Sequence, residues 1–310
     1  MILFIINRIF QAIPTVLGVI SISFLLVHIA PGDPAISMVG ENYKEETLHQ
    51  IKKELNLDKT ITQQYFLYIS KILRLDFGYS YMSGEEIYKV ISQKIFFTII
   101  LAFFSMMFAV IVGVFLGIIS GLNYKNKIDR LIVFLSIVGI SSPVFSVALI
   151  FIFVFSIQLK VLPPSGYGSV QHFILPCVVL GIRSLSLFIR ITRDSFVEII
   201  NEDYIRTAKS KGLKNNVIIY KHVLKNLLIP IVTIVGIDFS SYLTGAVLTE
   251  SIFGWPGIGR YLVDSILQRD FPAIQATVLF MSLVFVLINI FVDILYCFVN
   301  PKIREVLLEK

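Results

Sequence analysis

Six long apolar stretches dominate the chain, and polar or charged segments separate them. A helix that crosses a bilayer needs about 20 mainly apolar residues, and each stretch approaches or exceeds that length. The second and third stretches contain no charged residue, whereas Arg183 interrupts the fourth. The pattern predicts an all-α integral membrane protein with six transmembrane helices, at residues 9–29, 95–121, 131–158, 173–191, 227–249 and 276–299.

Composition and charge support this prediction and orient the helices. Of the 310 residues, 56% are hydrophobic and 15% are charged, whereas soluble domains contain about 25% charged residues. Lys and Arg concentrate in the loops that lie inside when the N-terminus is inside, which favours an N-in/C-in orientation. The net charge of +6 therefore follows from topology, and we expect the lipid bilayer, not nucleic acid, as the surrounding partner.

The spans divide the chain into three predicted parts. Within the second part, residues 44–57 and 61–74 have the apolar spacing of helices. The parts are the N-terminus with the first helix (1–30), an extracytoplasmic domain (31–94), and a five-helix core that includes a long cytoplasmic loop (95–310, with the loop at 194–226).

Catalytic and metal-binding patterns are missing from the sequence. It has no G-x-x-x-x-G-K-[ST] phosphate loop, so this chain is not expected to hydrolyse ATP. Its four histidines are scattered over both membrane faces, and Cys177 and Cys297 each lie alone in an apolar run. We therefore predict a non-catalytic subunit with no metal site and no cofactor of its own.

Three ionisable residues interrupt the apolar helices: Arg183, Asp238 and Asp293. Such residues are costly against lipid and usually face a helix bundle or a water-filled cavity. Asp238 stands near Ser241 and Thr244, which also suit a polar lumen or a close helix contact. Two interpretations of Asp238 remain open. It is a pathway residue that meets a cationic group of the solute, or it has a structural role, as a partner of Arg183 or as a polar group in a helix contact. We expect structural roles for Arg183 and Asp293.

The cytoplasmic loop has the apolar spacing of two amphipathic helices, at 194–211 and 217–228, joined at Gly212. Asn215 and Asn216 precede the second helix as a possible N-cap. An interfacial helix on anionic lipid and a docking element for a cytosolic protein both fit this pattern.

The amino-acid sequence of the loop resembles that of a known protein family. Residues 203–230 read DYIRTAKSKGLKNNVIIYKHVLKNLLIP. They resemble the cytoplasmic EAA loop of binding-protein-dependent ABC importer permeases, most closely the first permease of the dipeptide/oligopeptide/nickel family. Four further stretches support the match, namely PGDPA at 31–35, LDFGYS at 75–80, LPPSGYG at 162–168 and ESIFGWPGIGRYLVDSILQRDFPAIQ at 250–275. Where the general motif has Glu-Ala-Ala, this chain has Arg206, Thr207 and Ala208.

The resemblance implies the type I importer fold and a set of partners. These are a homologous second permease, two cytosolic ATPase subunits that bind ATP and Mg²⁺, and an extracytoplasmic solute-binding protein. The loop would supply a coupling helix that fits a groove of an ATPase and switches the pathway between its two access states. The residues assigned to this contact are Asp203, Tyr204, Arg206, Thr207, Ala208, Lys211, Gly212 and Leu213.

The resemblance also bears on the solute and its route. Asp238, Ser241, Thr244 and Trp255 are the expected pathway residues. The expected solutes are di- or oligopeptides, and nickel or a nickel chelate is the alternative. A multi-pass protein of the cytoplasmic membrane is implied. A standalone membrane enzyme lacks a catalytic pattern here, and a secondary transporter would leave the EAA-like loop without a purpose.

Overall fold

The computed structural model describes residues 2–29 and 58–299, and this part of the chain is almost entirely helical. The all-α prediction is therefore confirmed. Two short π-helical stretches, Ile152–Gln158 and Ile219–Val223, continue α5 and α8. The α-helices are α1 (Ile2–Ile29), α2 (Ile61–Leu73), α3 (Ile87–Leu122), α4 (Lys127–Ser141), α5 (Val144–Phe151), α6 (Val170–Ile200), α7 (Asp203–Ser210), α8 (Asn215–Ile218), α9 (Leu224–Phe253), α10 (Ile258–Leu267) and α11 (Phe271–Val299).

By length and composition, five helical stretches of the described chain could cross a membrane, and a bent pair could supply a sixth span. In that pair, Lys127–Ser141 and Val144–Gln158 meet at an angle of 111°. The prediction of one continuous helix over 131–158 is therefore wrong. Pro143 is the physical reason, because a proline forces the preceding residue out of the helical region, and Ser142 is extended with ψ 128°.

The predicted helix at 61–74 is confirmed as α2. Its start is fixed by a capping box, in which the Thr60 side chain accepts a hydrogen bond from the Gln63 backbone amide and the Gln63 side chain accepts one from the Thr60 backbone amide. The predicted helix at 44–57 lies outside the described residues. Helix α3 begins at Ile87, inside the segment assigned to the extracytoplasmic domain, and the proposed domain boundaries stay a prediction.

Packing separates the chain into two units, of which the first contains residues 1–98 and 256–288. In this unit α2 packs on the end of α1 through hydroxyl pairs, with Ser21 Oγ 2.7 Å from Tyr65 Oη and Ser23 Oγ 3.2 Å from Tyr68 Oη. An apolar core holds α10, α11 and the start of α3 together. Its buried members are Ile87, Ile91, Ile258, Ala273 and Ala276.

A buried carboxylate joins two segments of the first unit that are distant in sequence. Asp270, just before α11, accepts hydrogen bonds from the Ser80 hydroxyl and, at 3.2 Å, from the Tyr81 amide. Burial and then the charge of Asp270 raise the pKa of Tyr81 to about 12, so this phenol stays neutral at physiological pH. The Ser80–Asp270 bond links the LDFGYS stretch at 75–80 to the stretch at 250–275. Both stretches contribute to the family resemblance.

The second unit contains residues 99–255 and 289–310, and α6 is its central helix. Glycines at every fourth position of α3 let the backbones of α3 and α6 approach closely. A Cβ atom on Gly113 would stand 2.9 Å from the Leu185 carbonyl oxygen, and one on Gly117 would stand 2.9 Å from the Ile189 oxygen. The glycine stripe (Gly113, Gly117 and Gly121) therefore requires residues without side chains.

Candidate functional site

The EAA-like loop forms a short helix that is separate from the membrane helix before it. Helix α6 continues to Ile200, a turn follows at Asn201 and Glu202, and α7 occupies Asp203–Ser210. The predicted single helix over 194–211 is therefore wrong, because its first turns belong to α6. Two apolar positions of α7, Ile205 and Ala208, are buried. One face of α7 is therefore packed against the protein, and its other face is exposed.

Helix α7 ends in a Schellman motif at Gly212. The Leu213 amide donates to the Ala208 carbonyl at 3.3 Å and the Gly212 amide to the Lys209 carbonyl at 2.9 Å. Gly212 has φ +76°, a left-handed conformation that glycine adopts without the steric cost of a side chain. The prediction that two helices are joined at this glycine is confirmed.

A helical segment connects this turn to the membrane. Helix α8 begins at Asn215, a π-helical stretch follows at Ile219–Val223, and α9 continues without a break. Asn215 and Asn216 are thus the first helical residues and do not form the predicted N-cap. Ile218, Val223 and Leu227 are buried, so this connecting segment is packed on one side along its length.

A hydrogen bond ties the short helix directly to the base of α9. Asn226 donates its side-chain amide to the Tyr204 hydroxyl at 2.7 Å and to the His222 carbonyl at 3.0 Å. The contact spans 22 residues of sequence, so it fixes α7 to α9 independently of the turn at Gly212. Asn226 was matched as part of the motif but was absent from the predicted site. The only sequence signal for this bond was the presence of Tyr204 and Asn226 among the motif residues of the loop.

The predicted coupling residues mostly form one exposed surface. Of the eight, only Ala208 is buried, and it anchors α7 from beneath. Asp203 and Arg206 pair weakly at 3.4 Å on the solvent side. Apolar side chains stand exposed beside them, as Tyr204 and Leu213 do, and Tyr220 is 75% exposed. Tyrosine and arginine are enriched at protein interfaces, and Tyr204, Arg206 and Tyr220 are all exposed here.

A buried ion pair supports α6 just before the loop. Arg193 binds Asp129 of α4 with both ends of its guanidinium, Nε to Oδ1 at 2.7 Å and Nη2 to Oδ2 at 2.9 Å. The Asp129 side chain is 3% exposed, and it also accepts bonds from the Ser120 hydroxyl and the Lys125 amide. The Arg193 guanidinium also lies 5.0 Å from the centre of the Tyr124 ring. These bonds join the end of α3 and the start of α4 to α6.

We expect Arg193→Ala to destabilise the subunit by about 3 kcal/mol, because it leaves the buried Asp129 carboxylate without its cation. Thermal unfolding of the purified protein in detergent measures the change. Arg190→Ala is the matched control, since Arg190 is exposed on the same helix. Equal unfolding midpoints for the two variants would contradict the structural role of the pair.

The cavity next to this ion pair has a volume of about 530 Å³ and leads to the start of α7. Its lining is predominantly acidic and polar. The residues are Tyr124, Arg193, Asp194, Val197, Glu198, Asn201, Glu202 and Asp203.

The residues predicted for the pathway occupy different environments. Asp238 and Ser241 lie in α9, where the Ser241 hydroxyl donates to the Asp238 carbonyl at 2.6 Å and to its Oδ1 at 3.1 Å. The side chain of Thr244 lies outside the described part. Trp255 is buried against aromatic rings, 5.5 Å from Tyr167 and 5.3 Å from Phe173 between ring centres. Its pathway role stays a prediction.

A pairing of Arg183 with Asp238, one of the interpretations that the sequence leaves open, is not present. Arg183 is exposed, and it forms no ion pair with any residue in the described ranges 2–29 and 58–299. In the same ranges no three His, Cys, Asp or Glu side chains come together as a metal site would need.

Two protein families match the chain and together cover nearly all of it. Residues 113–305 match the family described as binding-protein-dependent transport system inner membrane component, and residues 1–102 match the N-terminal region of the same kind of protein. The first match alone extends over more than half of the chain, including α6, α7 and α9.

Individual relatives agree with the family matches. The glutathione transport system permease protein GsiC of Salmonella paratyphi A is 40% identical over 301 residues, which is 97% of this chain and 98% of that protein. The Escherichia coli K12 protein of the same name has the same identity and coverage. A chain of the MetNI methionine ABC transporter, solved in inward-facing conformations, aligns with a TM-score of 0.60 at 14% identity. The alignment covers 70% of this chain and 99% of that one, and it shows a shared fold.

Proposed function

Because the chain belongs to the binding-protein-dependent transport system inner membrane components, we propose that it pairs with a homologous second permease to import small peptides. As a member of this family it is the membrane permease subunit of an ABC importer and works with ATPase subunits and a binding protein. The finer proposal is a heterodimeric membrane core, two ATPases, and solute delivered by an extracytoplasmic protein.

The exposed face of α7 is the observation that carries the proposed coupling. A helix buried on one side and bonded to α9 through Tyr204 and Asn226 can transmit a displacement to the membrane as a rigid body. A helix lying loosely on lipid has no such connection. We therefore propose that an ATPase subunit binds the exposed coupling residues and that ATP-driven movement of the ATPases shifts α7 and α9 together.

Small peptides are the solutes that we propose. The support comes from the GsiC relatives, which are named as permeases of a glutathione transport system, and glutathione is itself a small peptide. Import of nickel or a nickel chelate uses the same architecture but has no support among these relatives. ATP and Mg²⁺ would bind to the ATPases, and we propose that this chain needs no cofactor.

Transport by a complete reconstituted importer tests the proposal. The chain is assembled in proteoliposomes with its second permease, the ATPases and the binding protein, and uptake of a radiolabelled di- or tripeptide is measured. Uptake should require both ATP and the binding protein. Peptide uptake that continues without either component would indicate a secondary transporter, and nickel uptake without peptide uptake would favour the alternative solute.

A further inference from the structure

Arg183 has an unusual position for a charged side chain. It lies 13 residues after the start of α6 and 17 before its end, so it stands roughly 20 Å from the start of the helix and roughly 25 Å from its end. It is exposed on the subunit and unpaired within the described residues. Because an arginine facing lipid at this depth is costly, its exposed face should meet water, a partner or a ligand.

Two polar groups on the neighbouring helix α9 also lack partners. Asp238 is 9% exposed and Tyr242, one turn further on, is 3% exposed. The Asp238 Oδ2 atom and the Tyr242 hydroxyl are buried without any hydrogen bond to a described residue. The Ser241 hydroxyl satisfies only the other carboxylate oxygen. Buried polar atoms normally have hydrogen-bond partners, so two unpartnered atoms one turn apart indicate groups that bind something other than the described residues.

These groups belong to one region of the second unit. Tyr242 lies within electrostatic range of both Asp238 and Arg183, and its hydroxyl approaches Ser184 without completing a hydrogen bond. Ser184 adjoins Arg183 on α6, so the middle of α6 faces the Asp238–Tyr242 turn of α9. A positive group, a negative group and a phenol thus lie in one region near the middle of α6 and α9, and no ion pair joins Arg183 to Asp238.

We propose that Arg183, Asp238 and Tyr242 form a binding site in the pathway for the two charged ends of a short zwitterionic peptide. The site rests on the proposed function and gives it a specific chemistry. The Arg183 guanidinium binds the terminal carboxylate in the forked geometry that suits it. Asp238 binds the terminal ammonium, and the Tyr242 hydroxyl bonds a polar atom between them. Asp238 and Tyr242 become accessible when α9 moves relative to α6.

Charge-blocked peptides test the site in the reconstituted importer. A dipeptide and its C-terminal amide, both taken up by the wild type, are compared at saturating loaded binding protein. We expect Arg183→Gln to slow uptake of the free acid about tenfold and that of the amide less than twofold. Arg183→Lys should restore most uptake of the free acid. Asp238→Asn should show the mirror pattern, with the free amine affected and the N-acetyl peptide spared.

Controls separate this site from structural effects. Arg190→Gln, on the same helix and also exposed, should leave both rates unchanged, and ATPase stimulation by the loaded binding protein reports on assembly. If Arg183→Gln slows acid and amide equally, or slows neither, the site is overturned. An equal loss would indicate that Arg183 pairs with an acidic group of a partner subunit. If the wild type takes up no peptide at all, the peptide assignment fails and the ligand of this site with it.

Discussion

Replacing Gly212 with proline is expected to reduce ATP-dependent uptake at least tenfold while the subunit still inserts and assembles. Proline fixes φ near −65° and has no amide hydrogen, whereas Gly212 has φ +76° and donates to Lys209. The Schellman motif that ends α7 cannot form, so the short helix loses its defined direction. Uptake by proteoliposomes and stimulation of ATP hydrolysis by the loaded binding protein should therefore fall together.

Gly212→Asn provides the matched control. Asparagine tolerates the left-handed conformation better than other residues with side chains, and a Cβ atom at this position meets nothing within 4 Å. We expect this variant to retain most of the wild-type uptake. Normal uptake and normal ATPase stimulation in Gly212→Pro would show that α7 does not couple the ATPases to the membrane.

The second large effect is expected inside the membrane. Gly117→Leu should destabilise the subunit by about 3 kcal/mol or prevent its folding, because overpacking at a closed helix contact forces the backbones apart. A Cβ atom at Gly117 would stand 2.6 Å from Thr192 Cβ and 2.9 Å from the Ile189 oxygen. The oxygen belongs to a helix backbone and cannot move aside as a side-chain end can. The unfolding midpoint in detergent and the yield of monodisperse protein measure the effect.

Gly18→Leu is the control for the change in hydrophobicity and volume. Gly18 also lies in an apolar helix, but a Cβ atom there has no neighbour within 4 Å. We expect its unfolding midpoint to stay near that of the wild type. If both leucine variants unfold alike, close approach of α3 and α6 is not a requirement of the fold.

Much of the site could be predicted because its signals are local. The exchange of apolar for charged residues after α6, the glycine at 212 and the wording of the loop all lie within one short stretch of sequence. They were sufficient to predict two helices joined at Gly212 in a cytoplasmic loop. They did not indicate that α6 continues to Ile200, because its last turns are polar enough to resemble the separate helix that follows.

The sequence by itself determined the all-helical membrane fold, the order of the spans and the family, and it predicts the orientation of the spans. Each depends on hydropathy, on basic residues near the spans or on a local motif, and these are properties of neighbouring residues. Only the tertiary structure decided the 111° angle of the bend at Pro143, the bonds of Asn226 to Tyr204 and of Ser80 to Asp270, and the lack of an ion pair for Arg183 among the described residues. Uniform hydropathy carries no information about which helices meet. The bend follows locally from Pro143, whereas the other features depend on atoms that are brought together from distant parts of the chain.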